Sequence, residues 1–214
     1  MIILIGGVPC AGKSTLVRSI LEGLGDPEYI EPMKGFPCEK RGDVLILGLY
    51  PEGEIFGGTD RIGMNVIPLF RDFVNQEAPK HKHILIEGDR FFRSVDIEWL
   101  LKTHDATAYI LTVNGVVEKK RHIKRNDTQS EKWLKSRRTQ IGNIMMNNFR
   151  FDVCIENDDL TITSDIKNQF LRVRTNDRDI QSLNIKNEII GLISEGAVTA
   201  ANDNDDPDMI RLAS

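Results

Sequence analysis

The hydrophobic residues of this chain are concentrated in five short runs, which are separated by longer polar or amphipathic stretches. The runs lie at residues 2–5, 44–49, 84–86, 108–113 and 151–155. They are almost continuously apolar instead of alternating, which is typical of strands buried on both faces of a parallel sheet. The pattern therefore predicts five parallel strands.

Between these runs, apolar residues recur at helical spacing. The predicted helices lie at residues 16–24, 60–74, 97–101, 116–125 and 130–146. Pro68 would kink or shorten the second helix, because proline lacks the backbone N–H that a helix interior needs. A polar, helix-like stretch follows from Arg172 onward. Strands that alternate with helices predict an α/β fold, here a three-layer sandwich around a five-stranded parallel sheet.

Length and composition predict one globular domain. The 214 residues are enough for one substantial core, and 40% hydrophobic with 28% charged residues is ordinary for a globular protein. We expect the domain to cover residues 1–200 and the polar, acidic residues 201–214 to form a disordered tail. The chain starts without a basic leader, and no stretch matches a bilayer-spanning helix, so we expect a cytoplasmic protein without a membrane partner.

Positive charge is concentrated in one segment of an otherwise acidic chain. The net charge of −4 gives no overall attraction to nucleic acid or anionic membranes. Between Lys119 and Arg138, however, nine lysines and arginines stand against two acidic residues. A segment of this kind suits contact with phosphates, although a solvated basic surface is the alternative.

The cysteines predict reduced thiols. Cys10, Cys38 and Cys154 are widely separated and show no CxxC spacing. Redox control through Cys10 is one interpretation, and a small residue in a tight turn is the other, which we favour because no second cysteine lies near it in the sequence.

A phosphate-binding loop is predicted directly after the first apolar run. The residues expected to bind ATP are Gly7, Val8, Pro9, Cys10, Ala11, Gly12, Lys13, Ser14 and Thr15, which match the pattern G-x-x-x-x-G-K-[ST]. The loop lies between a strand and an amphipathic helix, where backbone N–H groups and the helix N-terminus favour a polyphosphate. We expect Lys13, as a solvated cation, to reach the β- and γ-phosphates, and Ser14 to ligate Mg²⁺.

Acidic and basic residues follow the other predicted strands. Carboxyl ends of parallel strands meet at one edge of a sheet, so these residues are expected to surround the loop. We interpret Asp89 as the base or metal-side carboxylate and Arg90 as a catalytic cation, with Asp60 and Glu52 as rival carboxylates. Glu87 has a structural role in this interpretation. Solvated surface charges are the alternative explanation for these residues.

The basic segment predicts a lid over residues 115–140, as in nucleoside and nucleotide kinases. Arg121 and Arg125 are four residues apart, so they share one face of a helix and are expected to grip the phosphates together. Trp133 suits stacking on a base, or a half-buried position within the lid.

Two segments carry a resemblance to a known family. Residues 48–61, including Tyr-Pro-Glu-Gly-Glu, and residues 125–139, with Trp133 and the pair Arg137 and Arg138, resemble the phage 5-hydroxymethyluracil DNA kinases, a thymidylate-kinase-like branch. The resemblance implies ATP and Mg²⁺ as cofactors, and the 5-hydroxymethyl group of a modified pyrimidine in DNA as acceptor, in the cytoplasm of a host cell. The residues expected to contact the acceptor are Tyr50, Glu52, Phe56, Arg61, Trp133, Arg137 and Arg138.

Two other functions stay open at this point. A kinase for a free nucleoside monophosphate would suit the short, acidic chain. A regulatory or binding ATPase would use the basic segment to contact a partner instead of an acceptor. The sequence leaves the oligomeric state open.

Overall fold

The structure, a computed structural model, describes residues 1–54, 57–125, 129–146, 153–155, 170–174 and 186–194. Its strands are β1 (Ile2–Gly7), β2 (Glu28–Met33), β3 (Phe36–Arg41), β4 (Val44–Leu47), β5 (His83–Glu87), β6 (Ala106–Thr112), β7 (Val153–Ile155) and β8 (Phe170–Arg174). Its helices are α1 (Lys13–Leu21), α2 (Phe70–Glu77), α3 (Ser94–Thr103), α4 (Gly115–Lys124), α5 (Glu131–Met146) and α6 (186–194). None of these helices is both long and apolar enough to cross a lipid bilayer.

The described strands form one mixed sheet in the order β2-β3-β4-β5-β1-β6-β8-β7. From β4 to the end of this order, each strand is parallel to the next one. Strand β3 runs antiparallel to both β2 and β4. The prediction of an α/β fold is confirmed, and all five predicted strands are present as β1, β4, β5, β6 and β7. The prediction of a purely parallel, five-stranded sheet is wrong, because the described residues form eight strands and two of them are antiparallel additions.

The unpredicted strands lack a continuous apolar run. Strand β2 is an edge strand whose residues are exposed or half-buried, and it contains Pro32. Edge strands tolerate proline and polar residues, because one side of the backbone faces no partner. Strand β8 alternates apolar residues with Arg172 and Arg174, so the segment that we predicted to be helix-like from Arg172 onward begins as a strand. Helix α6 then follows at 186–194, within the same predicted stretch.

Two hydrophobic cores lie on opposite faces of the sheet. In the central strand β1, Ile2 and Leu4 face one core while Ile3 and Ile5 face the other, as the period of two along a strand requires. The first core is completed by α2, α3 and α5, and the second by α1 and α6. Helices therefore cover both faces of the sheet. Because β1 lies inside the strand order, its C-terminal end is near the middle of one edge of the sheet.

The helix predictions differ from the structure mainly before α2. Predicted helices 16–24, 97–101, 116–125 and 130–146 correspond to α1, α3, α4 and α5. Over 60–74, the chain instead forms two 3-10 segments, Thr59–Arg61 and Met64–Leu69, and the α-helix begins only at Phe70. Pro68 explains the delay, since its ring disfavours the α-helical conformation at the preceding residue. The predicted tail 201–214 lies outside the described residues.

Candidate active site

The predicted phosphate loop connects β1, at the centre of the sheet, with α1. Gly7 ends the strand with φ of 142°, and a Cβ at this position would lie 2.1 Å from the carbonyl oxygen of Leu111 on β6. Gly12 is the N-cap of α1 with φ of 93°, and no side chain hydrogen-bonds to that cap. The two glycines let the backbone turn sharply, so the N–H groups of the first turn of α1 point toward the loop. This is the backbone geometry that binds phosphate.

Gly7→Ala should destabilise the fold strongly. The new methyl group would collide with backbone of β6, which cannot move aside, and alanine is strained at this φ. We expect a loss of about 3 kcal/mol or more in the free energy of unfolding, measured by urea titration. Gly115→Ala is the matched control, because nothing lies within 4 Å of a Cβ there. Equal urea midpoints for the two variants would contradict this description of the loop.

Lys13 is held inside the loop and is not a solvated cation. Its side chain is 11% exposed, and its Nζ lies 3.5 Å from Oδ1 of Asp89. The same Nζ donates hydrogen bonds to the carbonyl oxygens of Gly7 at 3.1 Å and Val8 at 3.2 Å. Burial acts to lower the pKa of Lys13, but the charges of Asp89 and nearby carboxylates outweigh it, so the pKa is raised. The ammonium group therefore stays protonated.

Glu87 lies opposite Ser14 at the end of β5. The Ser14 hydroxyl donates to the Glu87 carboxylate, with Oγ 3.3 Å from Oε1, and the Tyr50 hydroxyl donates to Oε2 at 2.9 Å. Glu87 is 1% exposed. Burial raises the pKa of Glu87 to about 7, and the charge of Asp60 adds to the effect, while Lys13 and the Tyr50 hydrogen bond oppose it. The carboxyl group is thus poised to change its charge near neutral pH.

The segment after β4 closes onto this carboxylate. The N–H of Gly58 donates to the carbonyl of Leu49 at 2.9 Å, which folds the loop back on itself. A Cβ at Gly58 would lie 2.6 Å from Oε2 of Glu87, so only glycine permits this approach. The backbone N–H of Tyr50 donates to the buried carboxylate of Glu39 at 2.5 Å. These contacts fix Tyr50 against Glu87 and bring the next residues, Thr59 and Asp60, to the site.

Asp60 and Asp89 complete a cluster of three carboxyl groups around Lys13. Asp60 is exposed to solvent, yet the surrounding protein atoms and the charge of Asp89 raise its pKa, while Lys13 and Arg90 oppose this. Arg90 donates to the backbone carbonyl of Asp60 at 3.1 Å. Oδ1 of Asp89 is buried and accepts no hydrogen bond from any described residue, its neighbour being the Lys13 ammonium. Besides its ion pair with Lys13, this carboxylate oxygen has capacity left to accept a proton or to ligate a cation.

Helix α4 brings two arginines onto the phosphate loop. Nη1 of Arg121 donates to the carbonyl oxygen of Cys10 at 3.0 Å, and Nη1 of Arg125 lies 3.5 Å from its Sγ. The prediction that the two arginines share a helix face is confirmed by these contacts. Cys10 has φ of 55° and is a buried thiol that is not joined in a disulfide, which agrees with a small residue in a tight turn. Asn114 caps the helix by accepting from the N–H of Val117 at 2.9 Å, which sets where α4 begins.

The remaining predicted residues differ in where they lie. The Arg137 guanidinium stacks on Trp133, 5.3 Å from the ring centroid. The positive charge of Arg137 also opposes the rise in the pKa of Asp60, so Arg137 lies near the acid cluster. Arg61 instead pairs with Glu54, and Glu52 is exposed. Among the described hydrogen bonds and ion pairs, neither Arg61 nor Glu52 reaches residues 7–15. Phe56 lies outside the described residues.

Arg138 connects the two helices of the predicted lid. Its Nε donates to Glu118 on α4, at 3.0 Å to Oε1 and 3.1 Å to Oε2, and the Glu118 side chain is only 4% exposed. We predicted that the Arg138 guanidinium binds the acceptor, but it forms an ion pair with a buried carboxylate instead. The structure therefore gives Arg138 a role in holding α5 against α4.

Arg138→Ala should destabilise the protein by about 1–3 kcal/mol, because it leaves the buried Glu118 carboxylate without its main partner. Thermal or urea unfolding checks this value. Glu131→Ala is the control, since Glu131 is 90% exposed and lies 4.0 Å from Arg138. We expect a loss below about 0.5 kcal/mol for the control. A loss no larger for Arg138→Ala would contradict the structural role.

From the sequence we predicted only a structural role for Glu87, although it contacts the loop serine. It ends a continuous apolar run on the strand next to β1, and a carboxylate at that place resembles the one that holds Mg²⁺ together with the loop serine in P-loop enzymes. That signal was available in the pattern. The Tyr50 and Glu39 contacts were not, because they join residues that are distant along the chain.

No protein-family model matches the chain, and no curated protein matches it either.

Proposed function

We propose that this chain is an ATP-dependent kinase of the P-loop class, with α4 and the start of α5 as its lid, and that it transfers the γ-phosphate to a hydroxyl group. The observation that carries the proposal is the convergence on one loop of an ammonium group, a serine hydroxyl, three carboxyl groups and two arginines. Phosphoryl transfer requires this combination: cations that bear the charge of the migrating group and a carboxylate that accepts a proton.

The phosphates of ATP would lie along residues 7–15. The backbone N–H groups of the loop bind the phosphate oxygens, and Lys13 stabilises the charge on the migrating group. Arg121 and Arg125 contact Cys10 in the same loop. From this position their guanidinium groups would neutralise further phosphate charge. Movement of α4 would couple the lid to the phosphates.

The oxygen ligands present fit Mg²⁺. Ser14 and Glu87 supply a hydroxyl and a carboxylate that already lie in contact, and hard oxygen ligands of this kind are what Mg²⁺ prefers. Glu87 thus replaces Asp89 as our metal-side carboxylate. When bound, the ion would neutralise phosphate charge at the site of transfer. Tyr50 holds Glu87 in place through its hydrogen bond at 2.9 Å.

Asp89 is then the preferred base. Its Oδ1 accepts no hydrogen bond from any described residue and lies 3.5 Å from Lys13. In the transfer step, the acceptor oxygen forms a bond to the γ-phosphorus, the bond from that phosphorus to the bridging oxygen of ADP breaks, and the hydroxyl proton passes to Asp89. Asp60 is the second carboxyl group at this position, with Arg90 bound to its backbone.

For the acceptor, we propose the 5-hydroxymethyl group of 5-hydroxymethyluracil in phage DNA, as a step of thymidine hypermodification. The support is the resemblance of residues 48–61 and 125–139 to the kinases that carry out this reaction. The stacked pair Trp133 and Arg137 offers a surface on which a base displaced from the DNA duplex can lie.

Incubation with γ-labelled ATP and Mg²⁺ tests this proposal. Three acceptors are compared: DNA that contains 5-hydroxymethyluracil, the same DNA with thymine, and the free hydroxymethyl deoxynucleoside monophosphate. We expect label only in the first, and mass spectrometry of the digested DNA should locate one phosphate on the hydroxymethyl oxygen. Label in the free nucleotide alone would show a nucleotide kinase. Release of labelled phosphate without any labelled acceptor would show an ATPase with a binding role.

A further inference from the structure

A second concave surface lies beside the candidate active site, between the N-terminal end of α3 and the outer side of α5. It has a volume of about 730 Å³ and is lined mainly by polar side chains. Arg93, at the start of α3, forms one wall. The other wall is one face of α5, with Lys132, Lys135, Gln140 and Asn143 at helical spacing. We call this surface the α3–α5 groove.

The groove carries positive charge without acidic lining residues. The residues that line it include three cations and no aspartate or glutamate. Arg93 is partly neutralised, because its Nε donates to the buried Asp96 at 2.5 Å. Lys132 and Lys135 are exposed, and neither pairs with an acidic side chain in the part of the chain that the structure describes. Hydroxyl and amide groups from Ser136, Gln140 and Asn143 fill the space between the charges. A chain of phosphates has the complementary charge and the acceptor oxygens for these donors.

Side-chain contacts connect the groove with the candidate active site. Gln140, which lines it, accepts a hydrogen bond of 2.8 Å from Nη1 of Arg137. The charge of Arg137 in turn acts on Asp60 in the acid cluster. On the other wall, Arg93 lies three residues after Arg90, which is bound to Asp60. A strand that follows the groove would thus deliver a base to the acid cluster.

We propose that the α3–α5 groove binds the sugar–phosphate backbone of single-stranded or locally opened DNA, and so guides the target nucleotide into the active site. The inference rests on the proposed function, because it assigns a path to the acceptor of that reaction. The polar lining favours a nucleic-acid strand over a membrane. An anionic bilayer is bound best by a basic surface that also carries apolar side chains, and Ile144 is the one apolar residue among those that line the groove in the described part of the chain.

Fluorescence anisotropy with a labelled single-stranded oligonucleotide tests the groove. The variant Lys132→Glu with Lys135→Glu should weaken binding by about tenfold or more, since it removes two phosphate contacts and adds repulsion. The slope of log affinity against log salt should become shallower by about 1.4, at about 0.7 per phosphate of a single strand. The control is Lys34→Glu with Lys102→Glu, which makes the same change in net charge on the β2–β3 hairpin and at the C-terminal end of α3.

The outcomes separate the groove from the proposed kinase activity. Calorimetry with Mg²⁺ and ATP is run on the same proteins, and the control double variant should bind ATP as the original chain does. If the original chain binds ATP but Lys132→Glu with Lys135→Glu binds DNA with unchanged affinity, the groove proposal is wrong and the kinase proposal stands. Binding to phosphatidylserine vesicles that depends on these lysines, without binding to the oligonucleotide, would also overturn the groove proposal. A chain that binds the oligonucleotide through these lysines but never binds ATP would overturn the proposed function and keep the groove.

Discussion

Glu87→Gln should slow phosphoryl transfer by roughly 10²- to 10⁴-fold, the range expected for a group that acts directly in general acid–base or metal-assisted chemistry. The carboxylate faces Ser14 at the end of β5, and glutamine keeps the shape of the side chain but cannot supply the negative charge. Tyr50 can still donate to the amide oxygen, so the local structure should be retained. Steady-state kinetics with saturating Mg²⁺ and ATP measure the loss, which should appear in kcat.

The same substitution should stabilise the protein above neutral pH in the absence of nucleotide. Burial raises the pKa of Glu87 from its ordinary value of 4.5 to about 7, so between these values the folded state holds a proton that the unfolded state has released. The free energy of unfolding therefore falls as pH rises from about 4.5 to about 7. Glutamine does not titrate, so the variant does not lose this stability. We expect a gain of about 1–3 kcal/mol at pH 8, seen as a higher melting temperature, and little gain at pH 4.

Glu77→Gln is the matched control for both effects. Glu77 is also a buried glutamate, but it binds Lys80 and His81 on the far side of α2, and despite its burial these hydrogen bonds lower its pKa. The control should keep its activity and lose stability above neutral pH. An active Glu87→Gln enzyme would exclude Glu87 from the chemistry, whatever its effect on stability.

Lys13→Ala should be the second large effect, with turnover lowered by about 10²- to 10³-fold. The ammonium group donates to the loop carbonyl of Gly7 and lies 3.5 Å from Asp89, so its loss removes charge stabilisation where the γ-phosphate would react. The charge of Lys13 acts to lower the pKa of Glu87 and that of Asp60, so its removal should raise both pKa values and move the pH optimum upward. Rates measured over a pH series test both expectations.

Lys40→Ala is the control for Lys13→Ala, because it also removes a lysine that forms an ion pair. Lys40 pairs with Glu28 on the edge of the sheet, 3.3 Å away, and is 39% exposed. Its removal should change neither turnover nor the pH profile. A Lys13→Ala variant with turnover within about twofold of the original chain would rule out Lys13 as the phosphate-binding cation.

The sequence predicted the parts of the fold that are buried on both sides. Strands β1, β4, β5 and β6 are fully buried along their length, so their apolar runs are continuous and unambiguous. The β2–β3 hairpin has one open edge, and its polar and half-buried residues give no comparable run. Whether such a segment pairs with the sheet depends on tertiary contacts, such as Phe36 stacking on Phe73 with ring centroids 4.6 Å apart.

The same distinction applies to the site. The phosphate loop and the shared face of Arg121 and Arg125 are local features, fixed by a motif and by helical spacing. Glu87 acquires its importance from Ser14 and Tyr50, which lie 73 and 37 residues away along the chain. The ion pair between Arg138 and Glu118 likewise depends on how α5 packs against α4. Residue type and spacing indicated which charges belong to this region but not which of them contact each other.

We propose that the loop between β1 and α1 binds a magnesium–nucleotide complex, and isothermal titration calorimetry of the folded chain with ATP measures this binding. We predict one site per chain, with affinity that falls when Mg²⁺ is removed and again when Glu87 is replaced by glutamine. A correctly folded sample that gives no heat of binding with Mg²⁺ and ATP would contradict the account.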